Sequence, residues 1–348
     1  MSEVKAWLLK KLTHKKTVPY IKYNIRSIVI LRYDRIGDMI VSLPLIHILK
    51  QEFTNASISV IASVDNAPIV RQSSAVTNVF VKPKRIPAWL YAFSVVRLQL
   101  QHRIDVVIDL NHSVAPHALF TALALNPTHV ASPYKDGRWG VEGTALQLYD
   151  LMPKQHALKY RRHLSETYLD IARLMGCRAP TVTTYSMKKP EIVKSTEYVV
   201  LNHRGSRESM RLEDVDLLRI VRELAILIPS HEIRMHPMAN DYKHLQHLMK
   251  TEPNVSIAKP TKTIEPVIGS VAYATMVITP DTSLVHIASA FEIPLVAIYA
   301  NCPALFDQWS PVNRAPTQIL FSKSEKGLAG YSIIDLIEKI KLNVSLIH

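Results

Sequence analysis

Two carboxylates and two arginines stand close together where a short apolar run gives way to a helical pattern. The run Ser27–Leu31 predicts a buried strand, and Asp34, Arg35 and Asp38 follow it within a few residues. An acid at a helix start is stabilised by the helix dipole and by unpaired backbone amides. A helix cap accounts for one acid but not for the whole cluster. An aspartate held at the mouth of a sheet is also placed to act as a general base, so we predict that role for Asp38, with Asp34 as the alternative base.

A second junction of the same kind carries groups that suit a phosphate. An apolar run predicts a strand that ends at Thr279, and the next stretch predicts a helix from Leu284 to Ala290. The free N–H groups at the start of such a helix form a seat for a phosphate or diphosphate. A capped helix with a satisfied histidine would be the simpler interpretation of this segment taken alone. The residues of the junction that suit a ligand are Asp281, Thr282, Ser283, Leu284 and His286.

Both junctions belong to series in which short β-branched runs alternate with longer amphipathic stretches, a pattern typical of parallel α/β sheets. The first series predicts strands at Ser27–Leu31, Ile58–Ile61, Val79–Val81, Asp105–Asp109 and His129–Ala131, and helices at Asp38–Gln51 and Pro116–Leu125. The second predicts strands at Tyr198–Asn202, Glu232–Met235, Val255–Ile257, Met276–Thr279 and Leu295–Tyr299, and helices at Glu213–Ile226, Asp241–Lys250, Ile264–Ala272 and Leu284–Ala290. The predicted fold class is α/β, with two doubly wound domains that bind ligands at the carboxyl ends of their strands.

The length of 348 residues suits about two domains, and 48% apolar with 20% charged residues is typical of a globular protein. We predict a basic amphipathic extension over 1–24, a domain over 25–178, a linker over 179–196, a second domain over 197–325 and a C-terminal helix within 326–348.

No apolar run reaches the length of about 18 residues that a membrane span needs, and the N-terminus lacks the apolar core of a signal peptide. Cys177 and Cys302 have no metal-binding spacing, and GxGxxG and P-loop motifs are absent. These features predict a cytoplasmic protein.

Positive charge is the other strong feature of the chain. Lysine and arginine number 42 against 29 acidic residues, a net charge of +13, and residues 1–26 contribute nearly half of it. Because the lysines of this segment alternate with apolar and aromatic residues, an anionic membrane surface is one predicted partner, and a solvated basic face is the alternative. No helix-turn-helix, zinc-finger or RRM pattern accompanies the charge, so nucleic acid is not expected. A second basic cluster comprises Lys154, Lys159, Arg161 and Arg162.

Taken together, the two junctions resemble glycosyltransferase family 9, the lipopolysaccharide heptosyltransferases. The N-terminal signature of that family, Asp-Arg-Ile/Leu-Gly-Asp followed by Leu-Pro, is matched by Asp34–Asp38 and by the pair Leu43-Pro44. The C-terminal signature, Asp-Thr-Gly-x-x-His-x-Ala-x-Ala followed by Pro-x-Val, is matched by residues 281–290 with Pro294 and Val296. The resemblance implies a GT-B fold, in which two Rossmann-like domains face a central cleft. It also implies that the N-terminal domain binds the acceptor and the C-terminal domain an ADP-sugar.

The resemblance implies roles for single residues as well. Ser283 stands in place of the glycine of the family, and Ala300–Pro303 replace its Gly-Pro-Thr. The lysine that contacts the diphosphate has no clean counterpart, so Arg207 or Arg211 is expected to supply its charge; Asp241 is the acid nearest to the position of the ribose-binding glutamate. The implied donor-binding residues are Gly37, Arg207, Arg211, Asp281, Thr282, Ser283, Leu284 and His286, and the candidate acceptor-binding residues are Asp34, Arg35, Lys154, Lys159, Arg161 and Arg162.

The resemblance implies an inverting transfer of L-glycero-D-manno-heptose from ADP-heptose to the Kdo-containing inner core of lipopolysaccharide. The position of Asp38 at the mouth of the sheet predicts it as the general base of that reaction. The expected partners are the nucleotide-sugar donor, a lipid A–Kdo acceptor and the anionic inner face of the inner membrane. The run Asp214-Val215-Asp216 spells the DxD of metal-dependent glycosyltransferases but opens a predicted helix, so neither a metal nor a cofactor is expected. Two alternatives stay open: a family 9 enzyme with another nucleotide sugar or acceptor, and a non-catalytic nucleotide- or nucleic-acid-binding protein with a degenerate GT-B fold.

Overall fold

The computed structural model describes residues 7, 10–11, 13–14, 18–22, 25–100, 103–138, 141–154, 161–179, 184–191, 196–252 and 254–347. The chain divides into two compact units, Met1–Thr183 and Thr184–His348. The division falls within the linker predicted over 179–196. No helix in the described ranges combines the length and the apolar content needed to cross a bilayer.

The N-terminal unit contains a five-stranded parallel sheet in the order β3-β2-β1-β4-β5. All six residues of the central strand β1 are buried, as expected for a parallel sheet that is covered on both faces. The observed strands match the five predicted ones, with ends that differ by at most two residues. Their bounds are β1 Ser27–Arg32, β2 Ser57–Ser63, β3 Asn78–Lys82, β4 Val106–Asp109 and β5 His129–Ala131.

The helices of this unit include several that were not among the predicted elements. One begins at Ala88 and continues through a π-helical segment to Leu100. Its first six residues, Ala88–Phe93, are all apolar, so this part lacks the alternation by which a surface helix is recognised. The bounds are α1 Ile36–Glu52, α2 Ala67–Arg71, α3 Ala88–Tyr91, the π-helical Ala92–Val96, α4 Arg97–Leu100, α5 Pro116–Leu125 and α6 Leu164–Leu174.

The C-terminal unit contains a six-stranded parallel sheet in the order β11-β10-β9-β6-β7-β8. Counted from β6, this is the order 3-2-1-4-5-6 of a Rossmann fold. The predicted strands are confirmed to within one residue, and the sheet has one further strand, β11. The bounds are β6 Tyr198–Leu201, β7 Glu232–Met235, β8 Val255–Ile257, β9 Met276–Pro280, β10 Leu295–Tyr299 and β11 Thr317–Phe321.

The helices of the C-terminal unit cover this sheet and close its apolar core. The helix that begins at Asp214 confirms that the DxD sequence opens a helix, where Arg211 pairs with Asp214 and the Tyr331 hydroxyl donates to Asp216. The C-terminal helix packs in this unit through Leu336, Ile337 and Ile340. The bounds are α7 Asp214–Leu227, α8 Tyr242–Leu248, α9 Glu265–Ala272, α10 Ser283–Ala290, α11 Pro303–Trp309 and α12 Ile333–Ser345.

The strand order places the two sequence junctions at comparable points of their sheets. In a doubly wound sheet, ligands bind beyond the carboxyl ends of the strands at the point where the strand order reverses. In the N-terminal sheet this point lies between β1 and β4, and in the C-terminal sheet between β6 and β9. The first junction follows β1 and the second follows β9, so each lies at the switch point of its own unit.

Candidate active site

The first junction is organised by Arg32, the last residue of β1, whose side chain is only 2% exposed. Its guanidinium donates to Asp34 Oδ2 at 3.0 Å and to Asp38 Oδ1 at 3.2 Å. It also donates to the Asp38 carbonyl and to the Tyr168 hydroxyl, at 2.9 and 2.8 Å. A buried guanidinium needs acceptors on all sides of its planar fork. Arg32 therefore sets the orientation of both candidate bases.

The loop between Arg32 and α1 is also fixed from the β2 side. The buried Asn66 donates through its amide to the carbonyls of Arg32 and Asp34, at 3.0 and 3.3 Å. The Ser63 hydroxyl donates to the Asp34 carbonyl at 3.2 Å. Because the backbone of the loop is held at several points, the carboxylates that it carries are held in place as well.

Asp38 does not act as the helix cap. The N-cap position of α1 is Arg35, with Gly37 and Asp38 in the first turn, and the Asp38 side chain turns to Arg32 instead of capping the helix amides. The Asp38 side chain is 19% exposed and that of Asp34 is 36% exposed. Both carboxylates are thus held from the protein side by one cation and keep a face open to solvent.

The carboxylates of Asp34 and Asp38 interact electrostatically. Loss of water around the carboxyl raises the pKa of Asp34 to about 6, the positive charge of Arg32 opposes this rise, and the negative charge of Asp38 adds to it. Nearby Tyr168, Asp34 and Asp38 raise the pKa of Arg32 although its burial acts in the opposite sense. The cluster therefore carries a permanent cation beneath two carboxylates, one of which holds a proton at mildly acidic pH.

A buried ion pair supports the same edge of the sheet at the end of β4. Asp109 and Lys135 are fully buried, with Oδ2 and Nζ 2.8 Å apart, and the Tyr149 hydroxyl donates to Asp109 at 3.0 Å. Although burial acts in the opposite sense, Lys135 and hydrogen bonds from Asn111 hold the pKa of Asp109 below its usual value. A side chain at Gly143 would collide with Lys135. This pair is part of the packed interior and not of the open face.

An open cavity of about 470 Å³ lies next to the first junction, and sequence reasoning missed it. The residue after Arg32, Tyr33, is part of its wall, and the segment after β3 supplies most of the rest. Arg85 is exposed and forms no ion pair with the described residues, whereas Lys84 pairs with Asp65 at 3.1 Å. The polar residues of the wall are Tyr33, Lys82, Lys84, Arg85 and His117. The sign of this cavity in the sequence was the basic run Lys82-Pro83-Lys84-Arg85.

The electrostatics of this cavity favour an anionic ligand. Burial lowers the pKa of His117, and Arg138, Lys135 and Lys82 lower it further, while Asp109 acts in the opposite direction. The wall therefore combines cationic side chains with a histidine that is kept neutral. A carboxylate or phosphate entering the cavity would gain charge-assisted hydrogen bonds there.

The second basic cluster, Lys154 to Arg162, was predicted to bind the acceptor, and none of its described residues lines the cavity. Arg162 pairs with Asp170 at 2.7 Å and lies 3.6 Å from Glu166, both on α6. Lys154 and Arg161 are exposed, and Arg161 has a left-handed backbone with φ of 54°. Lys159 lies outside the described residues. Arg35 is exposed at the start of α1.

In the C-terminal unit, hydrogen bonds between three side chains join the ends of β6 and β9. The Asn202 amide donates to the Thr279 hydroxyl at 2.9 Å and lies 3.4 Å from that of Thr282, while the two threonine hydroxyls are 3.0 Å apart. Thr282 is the N-cap of α10, and its hydroxyl accepts from the Leu284 amide at 3.2 Å. The Leu284 amide is thus engaged in the cap, whereas the amides of Thr282 and Ser283 make no hydrogen bond with the described residues.

The loop that follows β6 places its arginines in different settings. Arg204 binds both carboxylate oxygens of Asp241, at 3.2 and 3.3 Å, so Asp241 is held in a buried ion pair. Arg211 pairs with Asp214 and Glu208, at 3.0 and 3.4 Å. Arg207 is exposed and forms no ion pair within 4 Å among the described residues. Of the two arginines considered from the sequence, Arg207 is therefore the one whose charge is available.

The charge of Arg207 reaches Asp281, which lies in the β9–α10 junction just before the start of the helix. Burial raises the pKa of Asp281 to about 6, and the positive charge of Arg207 opposes this rise. Gly205 allows the loop to approach, since a Cβ there would lie 3.0 Å from Met210 Cβ and 3.5 Å from Thr282 Cγ2. The loop thus brings a cation and the two free amides of the helix start to one edge of the sheet, an arrangement suited to a diphosphate.

His286, which the resemblance implies as a donor-binding residue, is buried. Its side chain is 3% exposed, and its ring lies 6.0 Å from that of Tyr185 and 5.9 Å from that of Trp309. It packs beneath the junction. Within the described ranges, no group of three or more His, Cys, Asp or Glu side chains is arranged to hold a metal ion.

Comparisons with known proteins identify the family and the fold. A family model described as glycosyltransferase family 9 (heptosyltransferase) matches residues 92–328. A family 9 glycosyltransferase from Veillonella parvula is 13% identical with a TM-score of 0.76, over 94% of this chain and 99% of that one. The E. coli heptosyltransferase WaaC with ADP is 19% identical with a TM-score of 0.69, over 91% and 99% of the two chains. E. coli ADP-heptose LPS heptosyltransferase II is 15% identical with a TM-score of 0.73, over 92% and 98%.

A comparison with curated proteins finds no match. The solved structures share the fold, so the predicted class is confirmed: two Rossmann-like α/β domains of the GT-B type. The family model spans well over half of the chain and includes the second junction. The chain therefore belongs to glycosyltransferase family 9, the heptosyltransferase family.

Proposed function

We propose that this chain transfers L-glycero-D-manno-heptose from ADP-heptose to the Kdo-containing inner core of lipopolysaccharide, with inversion at the anomeric carbon. Family membership supports a glycosyl transfer, and the solved relatives include WaaC with ADP and with ADP-2-deoxy-2-fluoro heptose. The observation that carries the proposal is the placement of Asp38, a partly open carboxylate held by the buried Arg32 at the switch point of the N-terminal sheet.

The proposed reaction is a single displacement. The acceptor hydroxyl oxygen attacks the anomeric carbon, Asp38 accepts the hydroxyl proton, and the bond from the anomeric carbon to the diphosphate breaks with its electron pair leaving on ADP. A positioned base contributes about 10²–10⁴-fold to such a step. The hydrogen bond from Arg32 holds the orientation of the Asp38 carboxylate during the transfer.

The leaving ADP is assigned to the β9–α10 junction. Negative charge grows on the diphosphate as the glycosidic bond breaks, and the amides of Thr282 and Ser283 with the Arg207 guanidinium are positioned to stabilise it. Because these groups supply the positive charge, the proposed mechanism is independent of a metal. The Leu284 amide is left out of this role because Thr282 already accepts its hydrogen.

The anionic acceptor is assigned to the N-terminal unit. The cavity lined by Lys82, Arg85 and His117 offers two cationic side chains and a neutral histidine next to the loop that carries Asp34 and Asp38. A lipid A–Kdo acceptor carries carboxylates and lies in a membrane, so the proposed site of action is the cytoplasmic face of the inner membrane. Arg161 and Lys154 are further cations of the same unit that an acceptor could meet.

The test is turnover with a panel of donors. ADP-heptose and matched UDP-, GDP- and dTDP-sugars are each supplied with a detergent-dispersed Kdo–lipid A acceptor, and product configuration is determined by NMR. The proposal expects transfer from ADP-heptose at least about tenfold faster than from any other donor, with inversion. Faster transfer from another nucleotide sugar would assign a different donor, and ADP binding without transfer to any acceptor would remove the catalytic function.

A further inference from the structure

The helical segment from Ala88 to Leu100 presents large apolar side chains on two sides. Tyr91, Ala92 and Val96 face the core of the N-terminal unit and are buried. On the side away from the core, Trp89 is 45% exposed, Leu90 41% and Phe93 55%. A surface helix of a globular protein normally turns polar residues outward. We call these three exposed residues the α3 face.

The chain segment that carries the α3 face has charged residues of one sign only. No acidic residue occurs between Asp65 and Asp105. Arg85 precedes the helix and is exposed, and the Arg97 guanidinium lies 5.9 Å from the centroid of the Phe93 ring. The basic residues of this acid-free stretch are Arg71, Lys82, Lys84, Arg85, Arg97 and Arg103. An exposed apolar face on a chain segment whose charged residues are all basic complements an anionic surface that has an apolar interior.

The α3 face is continuous with the basic cavity. Ile86, Pro87 and Ala88 form part of the cavity wall, and Trp89 and Leu90 follow them directly along the chain. Ile86 is itself 38% exposed. If a lipid surface covers the α3 face, a molecule embedded in that surface therefore lies next to the opening of the cavity.

We propose that the α3 face inserts into the interfacial layer of an anionic lipid bilayer, with Arg85 and Arg97 at the level of the headgroups. Tryptophan and phenylalanine on a helix with a basic border are the composition of an interfacial helix, in which the apolar face enters the boundary between headgroups and acyl chains. This inference rests on the proposed function in one respect, since a lipid-linked acceptor gives the contact its purpose. It is separate from the basic extension, which lies elsewhere in the sequence.

The experiment is sedimentation of the full chain with vesicles of equimolar phosphatidylglycerol and phosphatidylcholine, and with vesicles of phosphatidylcholine alone. The double variant Trp89→Ser/Phe93→Ser is expected to lower the partition coefficient on anionic vesicles by about tenfold, because its polar side chains gain nothing from the interface. Arg97→Gln is expected to lower it by about threefold to fivefold on anionic vesicles only. The matched control is Val215→Ser/Ile226→Ser, which removes two exposed apolar side chains from α7.

Three results would overturn the proposal. One is unchanged vesicle binding by Trp89→Ser/Phe93→Ser, and another is an equal loss in the α7 control. The third is a fall in solution mass of the double variant without loss of vesicle binding, which would identify the α3 face as an interface between copies of the chain. Transfer to the detergent-dispersed acceptor is measured on the same samples. That readout needs no bilayer. If the proposed function is wrong, the full chain shows no transfer to this acceptor, whereas if only the membrane role of the α3 face is wrong, transfer is seen and the double variant binds vesicles normally.

Discussion

Single residues decide the chemistry of the first junction, and Arg32 is the most informative of them. It binds both Asp34 and Asp38, and its positive charge opposes the rise in the pKa of Asp34, to about 6, that loss of water around that carboxyl causes. Sequence reasoning counted Arg32 among the arginines of the junction but gave it no role, because the last residue of a strand carries no motif of its own.

The first prediction concerns the two acids. Asp38→Asn should lower turnover by about 10²–10⁴-fold while ADP affinity stays unchanged, because the amide keeps the shape of the carboxylate but accepts no proton. Asp34→Asn is the matched control, since it faces the same arginine, and it should lose far less. Turnover and calorimetric ADP affinity are the two measurements. A large loss in Asp34→Asn with near-normal Asp38→Asn would exchange the two roles.

The second prediction separates the arginines of the donor loop. Arg207→Gln should weaken ADP binding by about 10–100-fold, as expected for loss of a charge-assisted hydrogen bond to phosphate. Arg211→Gln should change it by less than about threefold, because Arg211 is already paired with Asp214 and Glu208. Calorimetric titration of both variants with ADP measures this difference. An effect of Arg211→Gln as large as that of Arg207→Gln would contradict the assignment.

At the scale of elements, the β9–α10 junction shows how a short polar loop is held for ligand binding. Thr282 caps the helix and hydrogen-bonds to the β6 side through Thr279 and Asn202. Asp281 precedes the cap and is only partly exposed, and its side chain forms no ion pair within 4 Å among the described residues. The junction therefore maintains a desolvated carboxylate beside a helix start, which costs stability when that carboxylate is ionised.

The pH dependence of stability follows from this arrangement. The folded pKa of Asp281, about 6, lies above the usual value near 4, so the folded state binds a proton more tightly than the unfolded chain between these values. Ionised Asp281 then lowers the free energy of unfolding increasingly as the pH rises from about 4 to about 6. Asp281→Asn removes this cost and should be more stable than wild type by about 1–3 kcal/mol at neutral pH.

Urea unfolding at about pH 4 and about pH 7 measures this difference, which should shrink toward the acid end of the range. Glu325→Gln, at an exposed carboxyl, is the matched control for loss of one negative charge. A stability gain of Asp281→Asn that is equal at both pH values, or a loss at neutral pH, would show that Asp281 is not destabilised by its surroundings.

For the whole molecule, the N-terminal extension has two different parts. Lys22 pairs with Glu52 at 2.8 Å and donates to the Gly176 carbonyl at 2.6 Å, and the Tyr20 hydroxyl donates to Met175. These residues pack on the N-terminal unit, so the charge of Lys22 is satisfied within the chain. Farther toward the N-terminus, Trp7 is 56% exposed, and the Lys11 ammonium lies 4.5 Å from the centroid of its ring. Lys5, Lys15 and Lys16 lie outside the described residues.

The last prediction concerns deletion of residues 1–17, which removes the lysines before Tyr20 and keeps the contacts of Tyr20 and Lys22. The deletion should weaken binding to anionic vesicles at low salt and reduce its salt dependence, because each lysine near such a surface contributes about 1 kcal/mol. ADP affinity should stay unchanged. Equal sedimentation of the truncated and full chains at low salt would show that the extension is a solvated segment.

The sequence by itself determined ten of the eleven strands in the described part of the chain, their alternation with helices and the two signature junctions. Each depends on local information: an apolar run such as Val29–Leu31 predicts a buried strand, and Asp214 directly before an amphipathic stretch predicts a helix start. From these elements the doubly wound α/β class followed, because parallel strands require crossover helices. Asp38 and Thr282 were identified for a related reason, since both lie where a strand pattern gives way to a helical one.

Only the tertiary structure decided which side chains meet. Arg32 contacts Tyr168, 136 positions away, and Asn202 contacts Thr279 across the sheet, and neither pairing leaves a periodic trace in the sequence. Likewise, Arg207 and Arg211 are equivalent as sequence, and only their neighbours distinguish a free cation from a paired one. Ion pairs and burial depend on distances between segments that are far apart in the chain, and packing of the complete sheets sets those distances.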